Sequence, residues 1–182
     1  MIADKDRAFW FGASDTSYVV GNFQTATFKK WWLEKLGLRR SNLQTKAMKC
    51  GNAFEHKILD TIPGVRKDHQ IIIPELRLRV NLDGDLHPKI YEVKTHMAEK
   101  QFKVTAGYWR QAQVEMFAYG TDQLSILAYG LTEDDYRNYF KIICPDRLEE
   151  YPVEYDPKWI DEVYLPRLRY LGQCLKNGVL PK

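Results

Sequence analysis

Two carboxylates and a lysine lie on neighbouring segments that have the residue pattern of β-strands. Leucine or valine alternates with polar residues over 76–82, and this pattern predicts a strand that ends at Asp83. The pattern of residues 89–95 predicts a second strand. Glu92 and Lys94 lie two residues apart on the second strand and so share one of its faces. Carboxylates that converge from two strands suit Mg²⁺ or Mn²⁺, and a nearby lysine can stabilise charge that develops on a phosphate. The alternative is a hairpin with a charged, solvated face, and spacing alone does not separate the two.

A third carboxylate is expected beside this hairpin, on a helix. The segment 41–62 contains a helical repeat in which Gly51 and Glu55 are four residues apart and lie on one row. Glycine in a helix interior costs about 1 kcal/mol relative to alanine, and close approach of the helix to a sheet is one use of that cost. Glu55 would then face the same region as the strand carboxylates. We expect His56 and His96 to be structural residues and not ligands.

The remaining patterns predict an α/β fold, with a small mixed central sheet flanked by helices. The further expected elements are helices at 25–37, 105–119 and 156–178, with a kink at Pro166, and strands at 70–74, 123–131 and 136–144. Gln111 and Gln113 lie two apart on one of these helices, so at most one of them should reach the site.

Composition favours a single soluble domain that spans 1–182. The 182 residues are 45% hydrophobic and 28% charged, and no apolar run is long enough to span a membrane. The N-terminus does not have the pattern of a signal peptide. Three cysteines without C-x-x-C spacing argue against a disulfide scaffold, a zinc ribbon and an iron–sulfur cluster, and they fit a reducing cytoplasm, bacterial or that of a phage-infected host.

Charge is distributed unevenly along the chain. Residues 1–50 carry nine basic and four acidic residues, a net charge of +5, whereas 131–160 carry four basic and eight acidic residues, a net charge of −4. We therefore expect a polyanion such as DNA to contact the side of the protein that carries the basic N-terminal segment.

Five short segments resemble, in order and spacing, the motifs of the PD-(D/E)XK nucleases, and within them the lambda phage exonuclease or YqaJ-type alkaline nuclease family. The matching segments are Gly12-Ala13-Ser14-Asp15, Gly51 to Glu55, Leu82-Asp83-Gly84, Glu92-Val93-Lys94 and Gln111-Ala112-Gln113. The resemblance implies a restriction-endonuclease-like core with Mg²⁺ as the cofactor, for which Mn²⁺ would substitute.

The resemblance also implies a role for each matching residue. Asp83 and Glu92 would be metal ligands, Glu55 the helix carboxylate that completes the metal site, and Lys94 the catalytic lysine. Gln113 would lie at the edge of the active site.

Two further positions follow from the same resemblance. Arg7 and Ser14 match an arginine–serine pair that binds a 5′ phosphate, although Ser14 alone could simply cap a helix. Leu82 replaces the proline that precedes the aspartate in the family, and Asp85 is a competing carboxylate of the same strand parity. Asp83 is preferred because glycine follows it, as in the family.

The expected activity is metal-dependent hydrolysis of duplex DNA from its ends, with 5′-phosphorylated nucleotides as products. The resemblance implies DNA as substrate, a phage or prophage recombination role and a single-strand annealing protein as partner. The oligomeric state is left open, because the chain is shorter than the lambda enzyme, which forms a ring. The alternatives are a structure-specific or restriction-like endonuclease of the same fold, and a catalytically silent DNA-binding module.

Overall fold

The computed structural model describes residues 8–39 and 45–182. After a 3-10 turn at Ala13–Asp15, the elements in chain order are α1 (Thr16–Val19), α2 (Ala26–Lys35), α3 (Lys46–Leu59), β1 (Arg66–Ile73), β2 (Leu78–Leu86), β3 (Lys89–Met97), α4 (Ala106–Tyr119), β4 (Leu124–Leu131), β5 (Leu148–Val153), α5 (Pro157–Trp159) and α6 (Leu165–Asn177). None of the helices in these two ranges has both the length and the apolar character that a membrane span requires.

The five strands form one mixed sheet in the order β1-β2-β3-β4-β5. Neighbouring strands are antiparallel except β3 and β4, which run parallel and are joined through α4. Helices cover both faces of this sheet. The α/β class with a mixed, helix-flanked sheet is therefore confirmed, and Asp83 on β2 and Glu92 on β3 lie on adjacent strands, as the hairpin pattern predicts.

Two apolar clusters separate the sheet from its flanking helices. Helix α3 covers one face through a cluster whose buried members are Cys50, Phe54, Ile58, Leu59, Val93, Leu127, Tyr129 and Leu131. The other face carries the larger cluster, which includes residues of α2, α4 and α6. Because Val93 packs towards α3, its neighbours Glu92 and Lys94 point to the opposite side, towards α4.

Glycine lets α3 lie unusually close to the sheet at two positions. A Cβ at Gly51 would be 3.0 Å from Oγ1 of Thr95 on β3, and a Cβ at Gly84 would be 2.6 Å from Cδ2 of Leu59. The close approach expected at Gly51 is thus confirmed. Gly84 directly follows Asp83, so the second close contact lies next to the candidate carboxylates.

The strand expected at 136–144 does not form. This segment is an irregular connection between β4 and β5, and the ammonium of Lys57 on α3 donates to the carbonyls of Tyr139 and Lys141, the latter at 2.9 Å. Carbonyls that accept from a lysine are withdrawn from a strand ladder, and the edge strand forms at β5 instead. The segment packs along α3.

The C-terminal helical region begins at Pro157 and ends before Gly178, as expected. It consists of α5, a π-helical turn at Ile160–Tyr164 and α6. This irregular turn immediately precedes the turn that holds Pro166. Proline in a helix interior removes one backbone donor and clashes with the carbonyl four residues earlier, and a π-type turn is one way to accommodate it.

Candidate active site

The candidate site lies where β2 and β3 part. These strands pair only from Gly84 opposite Tyr91 to Leu86 opposite Lys89. Beyond Gly84, Oδ2 of Asp83 accepts the backbone N–H of Val93 at 2.8 Å. A side-chain carboxylate thus occupies the position of a ladder carbonyl, which fixes Asp83 beside the stretch of β3 that carries Glu92.

Glu92 and Lys94 form a closely bonded pair against α4. Nζ of Lys94 lies 2.5 Å from Oε1 of Glu92, and the two side chains are 19% and 5% exposed, lysine first. Gln111 joins them, since its Nε2 donates to Oε1 of Glu92 at 2.6 Å and its Oε1 accepts from Lys94 at 3.3 Å. The second oxygen of Glu92, Oε2, is buried and has no hydrogen-bond partner among the described residues.

Three carboxylates repel one another at this position. Burial first, and then Glu92 and Glu55, raise the pKa of Asp83 well above its usual range. Burial and the charge of Glu92 also raise the pKa of Glu55 on α3. The helix carboxylate therefore lies close enough to interact electrostatically with both strand carboxylates, as expected from the Gly51–Glu55 row.

These residues fit a divalent cation. Oxygen is the ligand atom that Mg²⁺ and Mn²⁺ prefer, and a cation would remove the repulsion that raises the pKa values of Asp83 and Glu55. It would also give the orphaned Oε2 of Glu92 a partner. Glu55 also belongs to a second group of possible metal ligands, with His56 and Asp68. In this group one carboxylate oxygen of each acid and one ring nitrogen of His56 lie within 4.8 Å of one another.

Lys94 is a permanent cation in this arrangement. Burial lowers the pKa of its ammonium, but the charge of Glu92 and the hydrogen bond to it outweigh burial, and the net pKa lies above the ordinary lysine value. The raised pKa keeps Lys94 as an ammonium near neutral pH, and an ammonium has three donors and no acceptor. Lys94 can therefore donate hydrogen bonds and stabilise negative charge.

Asp85, the competing carboxylate, is held in a different network. Its oxygens accept from Nη2 of Arg66 at 2.8 Å and from the hydroxyl of Tyr119 at 2.9 Å, and Nδ1 of His69 lies at 3.0 Å. Burial raises the pKa of Asp85, but the bonds from Arg66 and Tyr119 outweigh burial and the net pKa is lowered. Asp85 is thus bonded to side chains of β1 and α4, whereas Asp83 is bonded to the backbone of β3.

The two glutamines of α4 lie in other places than the resemblance implies, which puts Gln113 at the edge of the active site. Gln113 is fully buried, its Nε2 donates to the carbonyl of Glu154 at 2.8 Å, and its Oε1 accepts the N–H of Asp156 at 2.7 Å. It secures the segment after β5 and does not contact the carboxylates, so its assignment to the edge of the site is corrected. Gln111 occupies that position, in keeping with the expectation that only one of the two reaches it.

Glu115 is a member of the site that the sequence analysis missed. It is fully buried, and its Oε1 accepts from Nε2 of Gln111 at 2.8 Å. Burial and the charge of Glu92 raise the pKa of Glu115 well above its usual range. The available signal was the i, i+4 spacing from Gln111, together with an acidic residue between the apolar neighbours Val114 and Met116.

The N-terminal pair is only partly described. Arg7 lies outside the described residues. Ser14 is exposed on the 3-10 turn that packs near β2 and α4. The neighbouring Asp15 is buried and accepts from Nζ of Lys35 at 2.5 Å and from Nε1 of Trp31 at 2.9 Å, which anchors the turn.

No protein-family model and no curated protein matches the chain. Among solved structures, the alkaline exonuclease LHK-Exo of Laribacter hongkongensis, in complex with dAMP, is similar, with a TM-score of 0.70 and 18% identity over 94% of this chain and 90% of that chain. A phage-related exonuclease of Haemophilus somnus 129PT has a TM-score of 0.61 and 15% identity, over 93% and 96% of the two chains. The chain therefore has the PD-(D/E)XK fold of these alkaline and phage-related exonucleases, which confirms at the level of fold the resemblance that its motifs indicated.

Proposed function

We propose that the protein is a metal-dependent deoxyribonuclease that hydrolyses phosphodiester bonds from the ends of duplex DNA. The observation that carries the proposal is the convergence of Asp83 and Glu92 at the point where β2 and β3 part, with Lys94 bonded to Glu92. The fold shared with alkaline exonucleases supports the same reading.

The ligands of the metal would be Asp83, Glu92 and Glu55. A bound Mg²⁺ or Mn²⁺ would supply Lewis acidity, which activates water near neutral pH and polarises a phosphoryl oxygen. The preference for Asp83 over Asp85 rests on the Arg66 and Tyr119 contacts that already satisfy Asp85.

The chain's own groups would orient the reactants. Lys94, as a permanent cation, would donate to the attacking water or to the phosphate and would stabilise negative charge in the transition state. Gln111 would hold Lys94 and Glu92 in place through its amide. The proposal therefore separates ligands, which hold the cation, from Lys94, which acts on the reacting groups.

The deciding experiment compares linear with closed circular duplex DNA, in Mg²⁺ and in EDTA, with wild type and Asp83→Asn. An exonuclease degrades the linear duplex alone, only with Mg²⁺, and Asp83→Asn is inactive. Cutting of the circle would favour the structure-specific or restriction-like endonuclease. Binding of DNA without cutting of either form would favour a catalytically silent module.

We further propose a role in phage or prophage recombination in the cytoplasm, together with a single-strand annealing protein, and a 5′-phosphate pocket formed by Arg7 and Ser14. The similarity to a phage-related exonuclease supports the first. Light scattering with and without DNA would give the oligomeric state, which bears on how such an enzyme holds a duplex.

A further inference from the structure

Glu115 has no evident structural reason to be a carboxylic acid. It lies within α4 between the buried apolar residues Val114 and Met116, it is 0% exposed, and no basic side chain donates to it among the described residues. Its Oε2 is buried without a hydrogen-bond partner in that part of the chain. Burying a carboxyl group in this way costs free energy, so packing alone does not account for it.

Its one described hydrogen bond connects it to the candidate site. The amide of Gln111 has two N–H groups and one oxygen. Nε2 donates to Oε1 of Glu92 at 2.6 Å and to Oε1 of Glu115 at 2.8 Å, while Oε1 accepts from Lys94 at 3.3 Å. All three groups of the amide are thus engaged, and each partner restricts its rotation.

Loss of the Glu115 acceptor would release this amide. One N–H of the half-buried Gln111 side chain would lose its acceptor, which favours movement of the side chain towards another partner. Movement of Gln111 would loosen its bonds to Glu92 and Lys94. The effect of Glu115 would therefore reach the site through Gln111 and not through direct contact with DNA.

We infer that Glu115 is a positioning residue of the proposed nuclease, which holds Gln111 and through it the geometry of the Glu92–Lys94 pair. The inference rests on the proposed function. Burial and the charge of Glu92 raise the pKa of Glu115 well above its usual range, as is usual for a carboxyl group buried close to another carboxylate.

The experiment compares kcat and KM for linear duplex DNA in Glu115→Leu, Glu115→Gln, Gln111→Leu and the Glu115→Leu/Gln111→Leu double variant. Glu115→Leu should lower kcat about ten- to hundredfold with little change in KM, the scale seen when a supporting residue behind a site is removed. Glu115→Gln should stay close to wild type, because its carbonyl can still accept from Gln111. The double variant should be no worse than the more impaired single variant, since both changes remove one connection.

A matched control is Asp135→Asn, which alters another fully buried carboxyl, in the connection after β4, bonded to Thr132 and Arg147. It should lower stability and leave kcat of the folded protein unchanged. Unchanged kcat in Glu115→Leu, or losses that add in the double variant, would overturn the inference.

A second measurement uses no variant of Glu115 and no activity. In wild type, the side-chain amide protons of Gln111, assigned by their absence in Gln111→Leu, should exchange slowly with solvent in NMR spectra. Exchange as fast as in an exposed glutamine would overturn the inference even if Glu115→Leu did not fold. Inactivity of wild type on every DNA would instead count against the proposed function, and the exchange result would stand separately.

Discussion

Oδ2 of Asp83 accepts the backbone N–H of Val93 at 2.8 Å, across the gap where β2 and β3 no longer pair. This bond ties the aspartate to the residue between Glu92 and Lys94. The bond therefore sets the relative position of the two strand carboxylates and the lysine.

Removing one ligand charge should abolish cleavage without unfolding the protein. Asp83→Asn and Glu92→Gln each remove an anionic ligand while keeping side-chain volume, and in Asp83→Asn the amide oxygen can still accept from Val93. We expect no cleavage, loss of Mg²⁺ binding in calorimetry and an intact fold by circular dichroism. A variant that cleaves at the wild-type rate would show that the site is assigned wrongly.

Removing Lys94 should affect the reaction more than the metal. Lys94→Ala deletes a permanent cation that would stabilise transition-state charge, and we expect kcat to fall by about two to three orders of magnitude. Mg²⁺ binding should remain measurable by calorimetry, because the carboxylates are retained. If only the affinity for DNA falls, Lys94 is a phosphate contact and not a catalytic group.

Stability should depend on pH through Asp83. Its pKa is raised in the folded protein, so between the ordinary aspartate pKa of about 4 and the raised value the folded state binds more protons than the unfolded state. Without metal, the free energy of unfolding of wild type should therefore fall, relative to Asp83→Asn, as the pH rises through this window. Asp85 and Asp135, whose pKa values are lowered, act in the opposite direction, and the paired comparison removes their contribution.

The measurement is urea unfolding of both proteins in EDTA at pH values of about 5 and about 8, which lie above the ordinary aspartate pKa. The free energy of unfolding of Asp83→Asn, relative to that of wild type, should be larger at the higher pH. Saturating Mg²⁺ should reduce this difference, because it stabilises wild type alone. A difference in unfolding free energy that does not grow with pH would contradict the repulsion inferred among the carboxylates.

The two glutamines of α4 should differ in how the same substitution affects kcat. Gln111→Leu should lower kcat, because it removes contacts to Glu92 and Lys94, and it should also lower stability, because it leaves Oε1 of the buried Glu115 without its donor. Gln113→Leu should lower the free energy of unfolding, because it leaves the carbonyl of Glu154 and the N–H of Asp156 without partners, and it should spare kcat. Initial rates of the folded variants distinguish the pair, and a loss of kcat in Gln113→Leu with none in Gln111→Leu would restore Gln113 to the site.

A 5′-phosphate pocket predicts a preference between DNA ends. Arginine can bind a terminal phosphate through two parallel hydrogen bonds, and Ser14 would add its hydroxyl. Wild type should degrade a 5′-phosphorylated duplex faster than a 5′-hydroxyl duplex, and Arg7→Ala should reduce that preference. Equal rates on both ends in wild type would remove Arg7 and Ser14 from substrate recognition.

The sequence was sufficient for features that depend on local pattern. Alternation along β2 and β3 predicted the strands of Asp83 and Glu92, and a costly glycine at Gly51 predicted the approach of α3 to the sheet. Each of these signals is contained within a few consecutive residues. The physical cause, a strand's period of two or a glycine's missing Cβ, is therefore visible without the tertiary structure.

Features that depend on distant partners were not predictable in this way. Whether Gln111 or Gln113 faces the carboxylates is set by the rotation of α4 against the sheet, which neither residue determines. Residues 136–144 have a strand-like pattern, but Lys57, far earlier in the chain, binds their carbonyls. Glu115 was missed because its role is defined by Gln111 and Glu92, which only the fold brings to it.

The contact between Gly84 and Leu59 makes the site sensitive to volume as well as to charge. A methyl group at Gly84 would lie 2.6 Å from Cδ2 of Leu59, well inside van der Waals contact. To relieve the clash, the buried side chain of Leu59 would have to repack, or α3 would have to shift outward and carry Glu55 with it. Natural variation in proteins of this kind should accordingly be restricted at a position that carries no side chain and takes no part in the chemistry.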